Sequence, residues 1–490
     1  MRAVQSLRFL PLSDGKQPLF MWLIIPFLKF LKDPLIAGRM VSVLAGFGSM
    51  IGVGLLSYLL FKKKETALFA AIFYLISPFT FFFDRMALAD GLLSMFGIWF
   101  LICAVLLTKS LRLDLAMIAG IILGLGLLTK SPSLFFALML PATLILINRH
   151  SGKSRCKSGR IQNRFWTLLR SKLRQGTASQ DGEQTGIVFE LLKLFSLWAV
   201  IYLFGYVIYN ILRLGPEFHM IAIRNKDYVF SFSEVLKHPF NPLIGNIKDT
   251  LNWYWILLTP VSCLLGISGI FFSFKKSYKS TLFLIFCLFF PLFAQGAIAK
   301  VYTARYVLFT VPYFLIFIAF FVDMVFSGLK NKTLTTVLLV FFFFYPAFQI
   351  CFLIGSPQKA WLPKNERSGY LEMWTSGYGI KESADFLKNI AETQKVLVGT
   401  EGYFGTLPDG LQIYLEKVPN ITVIGVGYPI KNISSKLSDG LNDSRVFLLV
   451  NDSRFDCPAC NLKLVGQYPK AENPKTKTKE HLLFFELQNR

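Results

Sequence analysis

Apolar runs of about 18 residues or more are long enough to cross a bilayer as helices. The first 355 residues are built mostly of such runs. Ten spans are predicted, near 34–61, 66–83, 87–108, 113–129, 132–148, 189–213, 251–274, 280–299, 303–326 and 333–355. Lys130-Ser131-Pro132 interrupts 113–148, which also reads as a hairpin. Residues 18–31 are apolar but broken by Pro26, Lys29 and Lys32, so they read as an interfacial helix. After residue 355 the pattern changes. A helix is predicted over Lys381–Ala391 and another near Leu407–Leu415. Short buried strands are predicted at Val396–Gly399, Ile421–Ile424, Val446–Val450, Leu462–Val465 and Leu482–Phe485. Strands alternating with helices predict a small α/β domain. The division is 1–355, a multi-helix membrane domain, and 356–490, the α/β domain.

Composition agrees with the pattern. Hydrophobic residues make up 53% of the chain and charged residues 17%, too few charges to clothe soluble domains of this length. The net charge of +23 sharpens the topology, because its distribution is uneven. Residues 356–490 hold 17 basic and 15 acidic side chains, against 35 and 14 in the first 355. A nucleic-acid-binding chain would carry its excess on the soluble domain, so no nucleic-acid partner is expected. Lys62-Lys63-Lys64, Lys109 with Arg112, the loop 149–188, Lys275-Lys276 with Lys279, and Lys330 with Lys332 all fall on one side of the predicted spans. Basic loops stay in the cytoplasm near anionic membrane lipid. The loop 214–250 and the C-terminal domain are then extracytoplasmic, in a multi-pass integral protein of the cell membrane. Residues 1–33 also fall outside, so the topology expects a further helix upstream of residue 1.

Charged residues at membrane depth are costly and mark candidate chemistry. Asp14 and Lys16, Arg39, Asp84-Arg85, Asp90, Lys130, and Arg305 between Tyr302 and Tyr306 all fall at the outer ends of predicted spans. Each basic or tyrosine residue alone also reads as an interfacial anchor, and Asp90 also reads as a charge placed at its helix start. Anchoring gives no reason to gather carboxylates there. The loop 214–250 adds His219, Arg224 and His238, which read either as a lid over substrate or as a solvated connection. In the tail, Cys457 and Cys460 read as a local disulfide. Gly399–Gly405 reads as a ligand loop or a plain strand-to-helix turn. No ligand cluster for a metal is visible, and a divalent cation stays open.

Five of these segments resemble motifs of the GT-C membrane glycosyltransferases, in the branch holding protein O-mannosyltransferases and the lipid A aminoarabinose transferase. Asp14-Gly15-Lys16-Gln17-Pro18-Leu19-Phe20-Met21-Trp22-Leu23 is similar to the family's E-K-P-P-L-x-Y-W-L segment. Ala37–Ser42 resembles A-R-L-x-S, and Asp84–Asp90 resembles R-x-A-L-x-D. Gly124–Pro132 resembles G-L-A-x-L-T-K-G-P. Ala304-Arg305-Tyr306-Val307, followed by Pro312, resembles R-Y-x-L-x-x-x-P. The order is the family's. The resemblance covers about residues 14–355 and implies a GT-C-like polytopic α-helical membrane protein with a C-terminal extracytoplasmic α/β domain. Two departures stand out. The sequence starts just after where the family's outer Asp-Glu pair is expected, and Gly15 stands where the family has an acid, with Asp14 beside it.

The resemblance implies a sugar donor linked to polyprenyl phosphate, used at the outer face because nucleotide sugars are absent there. It implies an inverting displacement onto a protein, lipid or glycan acceptor. A carboxylate would act as general base, with Asp90, Asp84 and Asp14 as candidates. Lys16, Arg305, Tyr302, Tyr306, Arg85, Arg39 and Lys130 would meet the donor phosphate. The rival readings are a transporter or flippase of lipid-linked sugars and a non-catalytic relative presenting its outer domain.

Overall fold

The structure is a computed structural model and describes residues 9–147, 182–458 and 460–488. Most of the basic loop 149–188 lies outside the described residues. The chain forms two compact units. One comprises residues 1–27 and 38–350, and the other residues 28–37 and 351–490.

The first unit is helical. In chain order it holds most of α1 (Leu19–Phe30) and α2 (Pro34–Phe61), then α3 (Lys64–Ile76), α4 (Pro78–Asp84), α5 (Ala89–Ser110) and α6 (Leu113–Thr129). There follow α7 (Leu134–Met139), α8 (Gly182–Tyr209), α9 (Met220–Tyr228), α10 (Phe232–Lys237), α11 (Leu243–Leu257), α12 (Pro260–Ile298), α13 (Val311–Gly328) and most of α14 (Lys332–Gly355). Among the described residues, six helices are long and apolar enough to cross a membrane, or seven if the bent pair α3–α4 is one span. Ten were expected. The difference has local causes. Helix α6 is a 17-residue piece, and the stretch after Pro132 divides into a short helix and a 3₁₀ turn. The span expected at 251–274 straddles a break at Thr259, whose φ is +78°. The next expected span continues the same element, which leaves helical geometry at Ser277.

The best-buried spans are α5 and the segment Ala304–Gly328. Both are apolar all round, as interior helices of a bundle are. Their first turns carry Asp90 and Arg305. The start of α5 is pinned by Ser42 of α2, which donates to the Leu88 carbonyl (2.9 Å) and accepts from the Leu88 N–H (3.2 Å).

The second unit carries a five-stranded sheet of β1 (Val396–Thr400), β2 (Ile421–Gly425), β3 (Arg445–Asn451), β4 (Leu462–Pro469) and β5 (His481–Leu487). The order is β2-β1-β3-β5-β4. Strands β2, β1 and β3 run parallel, and β5 pairs antiparallel with β3 and β4. Helices α15 (Ile380–Ala391) and α16 (Asp409–Leu415) bury Leu387, Leu411 and Leu415 with Phe447 and Phe484. A further helix, α17 (Ser435–Gly440), buries Leu437 with Val446 and Leu448. Cys457 and Cys460 are disulfide-bonded.

A polar network sits at the carboxyl ends of β1 and β3. Glu401 accepts from the Asn451 backbone and side chain, both at 2.7 Å. Lys470 donates to the Asn451 side chain and to the Met373 carbonyl. Burial lowers the Lys470 ammonium to about 8, although Glu480 and Glu401 pull the other way. Burial likewise raises the Glu401 carboxyl against the hydrogen bonds of Asn451 and the charge of Arg454.

Candidate functional site

The site is assembled from five chain segments of the helical unit. At Lys130 the backbone turns extended and α6 stops, because Pro132 has no N–H to continue the hydrogen-bond ladder; a 3₁₀ turn over Ser131–Ser133 follows. The Lys130 ammonium reaches Asp90 Oδ1 at 2.5 Å and lies 4.3 Å from the Tyr306 ring centroid. Arg305 stacks on the same ring at 5.1 Å, and its Nη2 lies 3.4 Å from the Tyr306 hydroxyl. Asp90 is only 3% exposed. A carboxylate buried at that depth needs a charged partner, and Lys130 supplies it.

Residues 9–17 bring the next group. A 3₁₀ turn over Leu10–Asp14 ends at Gly15, whose φ is +64°. A Cβ there would fall 2.4 Å from the Arg224 Cβ and 2.7 Å from the Met220 carbonyl. Only glycine lets this turn lie against α9. That approach places Asp14 between Lys16 Nζ (2.5 Å) and Arg224 Nη1 (3.6 Å). Arg224 also donates to the Tyr228 hydroxyl (3.1 Å). Gln17 donates to Ser131 Oγ (2.7 Å), tying the turn to the residue after Lys130. The Tyr228 end of α9 is held by an isolated antiparallel bridge: Lys300 N donates to the Tyr228 carbonyl (2.8 Å) and Phe230 N to the Ile298 carbonyl (2.7 Å). This bridge leads into Arg305.

Four cations, Lys16, Lys130, Arg224 and Arg305, thus stand with two carboxylates, Asp14 and Asp90. The surplus of two positive charges suits a phosphate group, since charge-assisted donors bind phosphate oxygens strongly.

Other predicted residues lie elsewhere. Asp84 is buried, accepts from the Tyr74 hydroxyl (2.8 Å), and packs against the backbones of Gly46 and Gly91. Arg85 lies over the Phe81 ring at 5.5 Å. Arg39 turns its Nε into a buried position without a hydrogen bond among the described residues. Tyr302 bonds Thr250 (2.9 Å) and packs on Trp253. His219 is exposed, 3.8 Å from Glu217, and His238 ends the short helix α10. Among the described residues no three His, Cys, Asp or Glu side chains gather as a metal site. Sequence reasoning did not single out Ser42, Gln17 or the spacing role of Gly15. Tyr228 fell only within the range of the outer loop 214–250, because nothing in the sequence announces the pairing of 228–230 with 298–300.

The family described as "Dolichyl-phosphate-mannose-protein mannosyltransferase" matches residues 15–161. This range holds Lys16, Arg39, Asp84, Arg85, Asp90 and Lys130, while Arg224 and Arg305 lie beyond it. The match falls on segments whose motifs resemble the same branch, and it covers less than half of the chain. No curated protein matches the chain. Among solved structures, ArnT from Cupriavidus metallidurans in the apo state is similar at 13% identity and a TM-score of 0.49, over 96% of this chain and 88% of that one. The oligosaccharyltransferase AglB from Archaeoglobus fulgidus, in complex with an inhibitory peptide and a dolichol-phosphate, is similar at 12% identity and a TM-score of 0.44. That alignment covers 89% of this chain and 61% of AglB, so the chain spans about three fifths of its length. At such distance these likenesses say nothing of the chemistry.

Proposed function

We propose that the protein transfers a sugar from a polyprenyl-phosphate donor to an acceptor at the extracytoplasmic face of the membrane, with inversion at the anomeric carbon. The observation that carries this reading is the four-cation cluster around Asp14 and Asp90, at the end of the bundle where α5 and the Arg305 segment begin. The description of the family matched by residues 15–161 names a lipid-phosphate sugar donor, and the cluster has the charge to hold the phosphate of such a donor.

In the proposed reaction an acceptor oxygen attacks the anomeric carbon while the bond from that carbon to the phosphate oxygen breaks. The electron pair leaves with the lipid phosphate, and the acceptor proton passes to a carboxylate. Lys130 and Arg305 meet the charge growing on the leaving phosphate, with Tyr306 packed between them. Asp90 holds Lys130 in place. Among the three candidate carboxylates in the chain, Asp14 is open to an acceptor, with a side chain 51% exposed. Asp84 and Asp90 are 7% and 3% exposed. Lys16 and Arg224 share their charge between Asp14 and the donor phosphate.

The test uses the full chain in membranes with a synthetic polyprenyl-phosphate hexose, following release of polyprenyl phosphate. Arg305→Ala lowers the rate on the order of a hundredfold or more, as removal of one preorganised charge donor does. Full transfer in both Arg305→Ala and Asp90→Asn sinks the assignment. Donor movement across the bilayer without release of lipid phosphate favours a flippase instead.

A further inference from the structure

The sheet unit holds a second arrangement that the transfer site does not use. In an open α/β sheet the ligand crevice forms outside the carboxyl ends of the strands, where the chain's connections depart in opposite directions. Here that point lies between β1 and β3. From β1 the chain crosses to β2 on one side, and from β2 it returns past β1 to β3 on the other. Glu401 follows β1 and Asn451 ends β3, and both are 1% exposed. Their hydrogen bonds, with Lys470 beneath, form a closed network that fixes the floor of this crevice.

Above the floor the loops after β1 and β2 meet through a bridge between Gly402 and Gly427. They present three aromatic rings to solvent: Tyr403 at 73% exposure, Phe404 at 82% and Tyr428 at 62%. Such exposure of adjacent rings on a soluble surface calls for a partner. The Arg454 guanidinium is inserted below, 3.6 Å from the Trp374 ring centroid and 4.2 Å from that of Tyr428. It is also 3.7 Å from Glu401 and only 14% exposed.

We infer that this aromatic ledge at the β1–β3 switch point binds an uncharged glycan, stacking sugar rings on Tyr403, Phe404 and Tyr428. The charge balance carries the choice of ligand. Arg454 is offset by Glu401, and Lys470 is spent on Asn451 and Met373, so neither of these buried cations is left for an anionic ligand. An exposed carboxylate stands at its edge: Asp409 accepts from the Gly405 N–H (2.9 Å). That sign opposes docking on anionic lipid. Flat rings with phenol edges and no net charge match a sugar ring, which has an apolar CH face and a rim of hydroxyls. Aromatic side chains with one apolar body and one polar handle are suited to such contacts.

The inference is independent of transfer, so it is tested without donor. The full chain is reconstituted in zwitterionic lipid nanodiscs, free of sugar-headed detergent. It is titrated with neutral tetrasaccharides of mannose, glucose and N-acetylglucosamine, read by Trp fluorescence and by saturation-transfer NMR. The expected result is saturable binding of at least one of them. Affinity falls about tenfold or more in Tyr403→Ala/Tyr428→Ala, in proportion to two lost stacking contacts. It is largely kept in Tyr403→Phe/Tyr428→Phe, whose rings remain. Both residues are exposed, and unchanged melting of the variants confirms the fold. Absence of binding to all three probes overturns the inference, as does binding that the alanine pair leaves unchanged. Quenching of Trp in Tyr403→Trp by brominated acyl chains would assign the ledge to the membrane surface and likewise overturn it.

Discussion

Asp90 and Asp323 are both sealed from solvent, at 3% and 2% exposure, and each meets a lysine. Their settings differ. Asp323 accepts from Lys63 (2.8 Å), Thr66 (2.8 Å) and Ser327 (3.1 Å), donors drawn from the start of α3 and the end of α13. Its acceptor capacity is largely filled by neighbours that hold two helices together. Among the described residues Asp90 accepts from Lys130. Around that pair stand Arg305 and the Tyr306 ring, and Arg224 and Lys16 join through Tyr228 and Asp14. One carboxylate ends a network, and the other sits within a surplus of positive charge. A filled carboxylate stabilises, whereas a cluster with charge left over has something still to bind.

The largest effects should separate the two ends by activity. Arg305→Ala is expected to lower transfer on the order of a hundredfold or more while melting in lipid nanodiscs moves little. A comparable loss of both would merge the two ends into one structural role. Replacing both members of a pair with neutral residues of similar size sharpens the contrast. Asp90→Asn with Lys130→Gln should fold but transfer poorly. Lys63→Met with Asp323→Asn should keep its rate and melt near the parent temperature, because the amide oxygen can still accept from the buried hydroxyls while both charges are removed together.

A smaller loss is expected at Gly15→Ala. The added methyl group meets Arg224 Cβ and the Met220 carbonyl, so the turn must move off α9 and Asp14 must leave Arg224. Transfer should drop about tenfold, as modest misplacement of a positioned group can cost. Steady-state kinetics at varied donor concentration measure it. Asp323→Ala alone should leave transfer per folded molecule intact. It should lower stability by about 2 kcal/mol, because Thr66 and Ser327 lose their buried acceptor while the half-exposed Lys63 returns to water.

The smallest effect concerns Lys470, buried in the sheet unit. The folded Lys470 ammonium titrates at about 8, below its ordinary value of 10.5. Between these values the unfolded chain binds more protons than the folded one. Stability of the sheet unit should therefore rise as pH climbs through 8 towards 10. Lys470→Met should abolish that rise. A stability that falls over the same window in the parent would contradict the burial argument.

The legible parts of this molecule were those where one physical signal dominates. Strands β1, β2 and β3 were readable because Val396–Gly399, Ile421–Ile424 and Val446–Val450 are short apolar runs between turns. Helix α15 was readable from the spacing of Ile380, Ala384, Leu387 and Ala391 on one face. The short α17 was missed, since Leu437 is its one buried apolar side chain. Span counting failed where apolarity continues through a backbone break, as at Thr259 and Ser277. Hydropathy registers composition and is blind to a dihedral angle. The charged ends of α5, α6 and the Arg305 segment were legible because charge at membrane depth is costly. That Lys130 would choose Asp90, and that Asp84 would turn away to Tyr74, depended on packing between helices. Arg224 was named in its loop, but its bond to Asp14 rests on a contact across about 200 residues that no local pattern encodes.

The burial of Asp84 bears on how this chain can vary. A Cβ on Gly46 or Gly91 would lie 2.7 Å from one or the other of its carboxylate oxygens. Three positions in three helices therefore share one small volume. Alanine at 46 or 91 should appear in natural relatives only together with a smaller residue at 84, and a screen of random substitutions should recover the changes in company rather than singly.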